Sequence, residues 1–235
     1  METLLNVGRV LPWADWLALL VFFTGWVGYA TFARRRAPTK PSVLALTNRE
    51  RHRWMLQATY RDNRVLDGVV VQQLSSTASF FASTTILIIG ALLAVLGATE
   101  QASDLVREIP FAARTSLLVF DFKVVLLVAI FVYAFFRFTW CIRQYSVGVL
   151  LVAAAPEAAA ITDEAQRQAF ADRAGRVMGL AAESFNDGLR AYYLSFAAVS
   201  WFVSPWAMLA ATATVIGVLY RREFRSEVLQ ALESP

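Results

Sequence analysis

Apolar stretches alternate with charged ones along this chain, and the boundaries between them are sharp. Residues 14–32, "ADWLALLVFFTGWVGYATF", carry one charge, Asp15, at their edge. Residues 86–97 carry none, and residues 191–220 carry none. Apolar runs of about 18 or more residues read as membrane-crossing helices, because about 20 residues are needed to span the hydrocarbon core. Four spans are predicted, at about 14–32, 77–97, 117–138 and 191–220. The last is about 45 Å long as one straight helix, more than one crossing needs. Its Ser204-Pro205 pair offers a kinked span or a re-entrant hairpin. The single kinked span is the better fit, because proline kinks are tolerated in membranes.

The segments between the runs also carry helical patterns. Thr47-Asn48-Arg49-Glu50 has the spacing of a capping box, and Trp54, Ala58, Val65 and Val69 follow at helical intervals. A helix is predicted to start near Asn48, with continuation into the second span left open. Thr162 followed by Asp163 and Glu164 reads as another start, because acids suit the positive end of a helix. A stripe of Phe170, Ala174, Val177, Ala181, Phe185 and Leu189 follows. The third span is expected to reach towards Val152 and stop before Pro156. The fold class is therefore all-α: one membrane domain over 1–235, with helical segments at 47–74 and 163–190 forming a small cytoplasmic bundle.

Charge orients these elements. Residues 33–76 carry nine Lys and Arg, among them Arg34, Arg35, Arg36 and Lys40. Residues 99–116 carry two, Arg107 and Arg114, and residues 139–190 carry five. Positive connections stay in the cytoplasm, which puts the N-terminus outside. With four spans the tail also falls outside, and there Arg221, Arg222 and Arg225 conflict with the rule. The first run is read as a retained anchor rather than a signal peptide. It is too long for a signal core, only Arg9 precedes it, and three arginines follow it.

Composition narrows the chemistry. Of 235 residues, 57% are hydrophobic and 17% charged, and the net charge is a modest +4 with no nucleic-acid motif. Cys141 and His52 are single, which argues against an internal disulfide, a zinc cluster or a His-ligated haem. No phosphate loop, serine nucleophile elbow or HExxH motif occurs, so the chain is read as a non-enzyme without cofactor or metal.

Three groups could carry function. Asp121 and Lys123 lie near the start of the third run. Two residues apart on a helix they point about 200° from each other and cannot pair. Asp15 and Glu100 are candidate partners for Lys123, and Arg114 for Asp121. The readings are a peripheral ion pair or a charged ring at a pore mouth. Ser75, Ser76, Ser79, Ser83 and Thr84 enter the second span as either a close-packing face or a hydroxyl-lined conduit. Arg61, Asp62, Arg64, Asp67, Arg137, Arg143, Asn186, Asp187 and Arg190 form a polar cluster at the cytoplasmic boundary. Helix-end salt bridges explain it, and Arg137 and Arg143 could also hold anionic headgroups.

The segments "VQQL" at 71–74 and "ASTTIL" at 82–87 resemble a family of four-pass membrane proteins of bacteria and plants, catalogued as domain of unknown function 599. The likeness extends through "FFRFTWCIRQYSVGVLL" and "WFVSPWAMLAATATVIGVLY", from about Arg34 to Tyr220. The resemblance implies four spans and supplies no activity; the expected location is the bacterial inner membrane. The expected function is a homo-oligomeric channel or transporter-like protein for a small ion or solute. The alternative is a non-catalytic scaffold or accessory subunit of a larger membrane complex. The expected partners are membrane lipids and further copies of the chain.

Overall fold

The computed structural model describes residues 11–36, 41–108 and 116–233. Among these the regular structure is helical, without strands. The elements are α1 (Trp13–Arg36), α2 (Val43–Ala58), α3 (Val65–Gly97), α4 (Thr99–Arg107), α5 (Leu117–Ala153), α6 (Glu164–Ser200), α7 (Pro205–Phe224) and α8 (Glu227–Glu233). A short 3₁₀ turn, Ala158–Ala160, precedes α6. Three helices, α1, α3 and α5, are long and apolar enough to cross a membrane.

Helix ends follow local chemistry, and two differ from expectation. α2 starts at Val43 rather than near Asn48, because the Ser42 hydroxyl accepts from the Ala45 N–H at 3.1 Å. Thr47 is already inside the helix, with its hydroxyl on the Val43 carbonyl. α2 also stops at Ala58 instead of running into α3. Asn63 turns the chain into α3 by accepting from the Val65 N–H at 3.0 Å, an Asx turn ahead of the helix. Asp163 caps α6, accepting from the Ala165 N–H. α5 ends at Ala153, before Pro156.

The largest difference is in residues 191–220. They are two helices, not one kinked helix. Trp201, Phe202 and Val203 form a turn through i→i−3 backbone bonds. Ser204 then caps α7, accepting from the Ala207 N–H at 3.0 Å. Pro205 sits at the first helical position, where its missing N–H costs nothing and its fixed φ suits a helix start.

The chain divides into two compact units. The first comprises the described residues of Met1–Arg35, Thr85–Tyr133 and Arg190–Tyr220. Ring contacts give its directions. Tyr29 lies under Arg190 and Asp15 meets Trp201, so α6 runs antiparallel to α1. Trp13 packs on Trp206 and Phe32 on Tyr220, so α7 runs parallel to α1. The end of α6 and α7 are therefore a helical hairpin closed by the turn at 201–204. α5 runs against α6, with Lys123 at Trp201 and Phe131 at Tyr192. Phe22, Val124, Leu194, Trp201 and Met208 are buried inside this unit.

The second unit comprises the described residues of Arg36–Thr84, Ala134–Leu189 and Arg221–Pro235. Met55, Val71, Cys141, Tyr145, Phe170, Ala174 and Met178 share its core. The expected stripe on α6 is thus largely a core face, whereas Val65 and Val69 are exposed. A Cβ on Gly175 would lie 3.0 Å from the His52 Cα, so glycine lets the backbones of α2 and α6 approach closely. Arg64 ties the start of α3 to the end of α5 by donating to the Ala155 and Pro156 carbonyls. Arg167 does the same for the Thr59, Ala158 and Ile161 carbonyls.

Candidate functional site

Charged side chains inside an apolar helix bundle are the natural place to look for chemistry, because each one is costly unless satisfied. In the first unit two of them, Lys123 and Asp15, meet at the α6–α7 turn. Lys123 is buried, and its ammonium donates to the Trp201 carbonyl at 2.9 Å. That carbonyl lies just past the last turn of α6, where backbone acceptors lack helical donors and a cation is favoured. The ammonium also lies 5.2 Å from the Trp201 ring and 5.7 Å from the Phe202 ring. On its other side the fully buried Trp201 donates its indole N–H to Asp15.

Asp15 is one of the two acids expected to serve Lys123, and the two are joined through Trp201 rather than paired directly. Glu100, the other, is exposed on α4. Asp121 accepts from the Thr99 hydroxyl at 2.7 Å, and it does not meet Lys123. Its expected partner Arg114 lies outside the described residues, as do Arg9 and Lys40. Elsewhere in the same unit, the hydroxyls of Thr85 and Tyr192 are 2.7 Å apart.

The second unit satisfies its charges differently. Arg137 pairs with Asp187, which is buried. Arg137 also reaches the Ser184 hydroxyl at 3.4 Å, and Ser184 donates to Gln144 at 2.7 Å. Asp67 is wholly buried, and one of its oxygens accepts from both Arg61 and the Trp54 indole. Its other oxygen and the Arg137 Nε are buried without a hydrogen bond.

The expected boundary cluster is thus several separate groups. Arg61 and Asp67 form one, Arg137 and Asp187 another, and Arg64 serves carbonyls. Arg190 lies in the first unit beside Tyr29. Asp62 and Arg143 are exposed, and Asn186 is half-buried.

The serine group does not pack inside the chain as a set. The buried line of α3 is Val71, Ala78, Ala82 and Thr85, where alanines allow close contact without a polar group to satisfy. Ser76 and Ser83 are exposed, and Ser75, Ser79 and Thr84 are half-buried. The exposed serines continue along the helix as Ser76, Ser83, Gly90 and Gly97, one small residue every seven. A Cβ added at Gly90 or Gly97 would meet nothing within 4 Å. Phe80, Ile86, Leu87 and Leu93 are exposed around them.

Sequence reasoning missed a polar groove in the second unit. It is about 450 Å³, between α2 and α6, and Asn48, His52, Asp172, Arg176 and Glu183 line it. His52 Nδ1 is 3.5 Å from Asp172, and its Nε2 is 2.9 Å from Gln168. Arg51 beside it donates to Thr47 and to Asn48. Burial pulls the Arg51 pKa below the ordinary guanidinium value, while Tyr145 and Glu183 oppose that shift. Gly175 and Gly179, four residues apart on α6, were the available signal for a close α2 contact. Among the described residues, no three His, Cys, Asp or Glu side chains converge as a metal site would.

The model of a family described as "Protein of unknown function, DUF599" matches residues 17–228. The chain belongs to that family. The match covers α1 from Leu17 onward, then α2 to α7 and the turn at 201–204, and leaves Asp15 outside it. The family description assigns no activity, so nothing chemical is carried over from it. Neither a curated protein nor a solved structure matches the chain.

Proposed function

We propose that this member of the DUF599 family is a multi-pass membrane protein that works as a homo-oligomer and passes a small ion or solute. The observation that carries the reading is the line of small residues on α3, Ser76, Ser83, Gly90 and Gly97, exposed on a helix apolar enough to cross a membrane. Small residues let membrane helices approach closely, and such faces are used for association. Lys123, Asp15, Arg137, Asp187, Arg61 and Asp67 are each engaged with a group of the same unit, one Asp67 oxygen and the Arg137 Nε apart, so a passage is better made between copies than within one. The hydroxyls of Ser76 and Ser83 would then line or flank it.

The reading places the N-terminus outside and Arg34, Arg35 and Arg36 in the cytoplasm. The α6–α7 hairpin supports it. α7 runs parallel to α1, so Arg221, Arg222 and Arg225 leave the membrane in the same sense as Arg34 to Arg36. The hairpin adds a fifth transit, and the conflict that four spans created for the tail disappears.

Cross-linking through Ser83→Cys, in a Cys141→Ala background, combined with conductance in planar bilayers, tests the function. The expected outcome is a cross-linked multimer with measurable flux, and loss of both in Gly90→Leu. A chain that stays monomeric and silent under every condition sinks the proposal. A second reading, a scaffold or accessory subunit, is favoured by the polar groove of α2 and α6, which is open to a protein partner. A stoichiometric foreign partner in mild detergent, without flux, would select it.

A further inference from the structure

An open apolar groove of about 710 Å³ runs along the first unit between α1 and α7. We infer that it holds one acyl chain of an anionic phospholipid, with the headgroup phosphate at the arginines that follow it. Gly25 makes the close contact of the two helices, since a Cβ there would lie 2.7 Å from Ile216. Gly28 is open, as is Gly217, and both leave a trough beside that contact. The trough has almost no polar capacity. The Thr24 hydroxyl donates to the Leu20 carbonyl at 2.6 Å and the Thr212 hydroxyl to the Met208 carbonyl at 2.7 Å. Both threonines therefore present methyl groups. An apolar occupant fits along most of its length, with the tyrosines Tyr29 and Tyr220 among the lining residues.

Length and charge identify that occupant. From Val21 to Phe32 the groove is about 16 Å long at 1.5 Å per residue. One leaflet is half of a hydrocarbon core of roughly 30 Å, so about 15 Å. Phe32 and Tyr220, ring centroids 6.3 Å apart, form the rim at one end. Arg35 is three residues beyond Phe32 and Arg221 four beyond Gly217, which puts each on the groove side of its helix. Both are exposed. Guanidinium groups match phosphate geometry, and basic residues at a membrane surface favour anionic lipid.

A second apolar groove supplies the control. It is about 480 Å³, lies between α1 and α5 and is lined by Trp16, Phe23, Phe122 and Val125. No arginine lies within four residues of any residue lining it, and Lys123 nearby is committed to Trp201.

Native mass spectrometry of the full chain, released from mild detergent with equimolar dioleoyl-phosphatidylglycerol and dioleoyl-phosphatidylcholine, tests the inference. The wild type should retain one phosphatidylglycerol with a preference on the order of tenfold, from two interfacial arginines. Arg35→Gln with Arg221→Gln, both surface changes, should abolish the preference but keep some lipid. Gly28→Leu with Gly217→Leu should displace the lipid altogether, and Trp16→Ala should leave the preference unchanged. Equal retention of the two lipids by the wild type would overturn the inference. So would unchanged retention in the leucine variant, or a groove covered instead by a second copy that the leucines dislodge.

Discussion

The two units handle buried charge in opposite ways. In the second, opposite charges meet: Arg137 with Asp187, and Arg61 with Asp67. In the first, Lys123 and Asp15 are held apart by a neutral side chain, and each leans on a different dipole of Trp201. Asp121 likewise leans on a hydroxyl, that of Thr99. The difference teaches what a helix end can do. Where the turn at 201–204 frees a backbone carbonyl, an ammonium can be satisfied without an acid. Where helices run on uninterrupted, as α5 and α6 do past Arg137 and Asp187, every backbone group is already used. A charge there needs another charge.

Substitutions can break or sharpen that contrast. The largest effect is expected at Asp187→Ala, which strands Arg137. It should cost roughly 3 kcal/mol, the low end for a broken buried pair, because 27% of the Arg137 side chain stays exposed. Replacing both, as Arg137→Met with Asp187→Leu, should restore most of the loss in thermal unfolding of the purified chain. Recovery would mark the pair as a mutual dependence; no recovery would mean that Ser184 and Gln144 matter more than the charge.

Trp201→Phe comes next. It keeps the carbonyl for Lys123 but removes the indole hydrogen bond to the Asp15 carboxylate, and should cost about 2 kcal/mol. The contrast fails if this variant unfolds at the wild-type temperature, since Asp15 would then not depend on the indole. The smallest effect belongs to the turn itself. Ser204→Ala removes the cap of α7 and should cost about 1 kcal/mol in the same assay, with Ser204→Asp close to wild type. Equal losses in both variants would show that the hydroxyl is not acting as a cap.

Much of this was legible in the residues and some was not. The apolar runs announced α1, α3 and α5, Asp163 announced α6, and Pro156 bounded α5. Asp15 was even nominated for Lys123, on depth alone. The route between them was hidden, because Trp201 looks like one more apolar residue and backbone carbonyls leave no trace in a sequence. Ser204-Pro205 was misread for a different reason. Proline both kinks helices and starts them, and the cap in front of it separates the two cases. The Ser75 to Thr84 group could not be placed by spacing, since a period of four or seven does not say whether a face meets a neighbour or lipid. The exposed line that extends it, from Ser76 to Gly97, needed a structure to be seen.

Trp201 has a consequence for how this protein can change over generations. Position 15 lies on α1 and position 123 on α5, with α2, α3 and α4 between them in the chain. Yet both meet residue 201, the lysine at its backbone carbonyl and the acid at its indole N–H. Loss of the acid alters what the lysine's neighbour must do, and loss of the lysine alters what the acid's neighbour must do. Residue 201 can therefore change without stranding the lysine, whereas the acid at 15 is tied to a side chain at 201 that can donate a hydrogen bond.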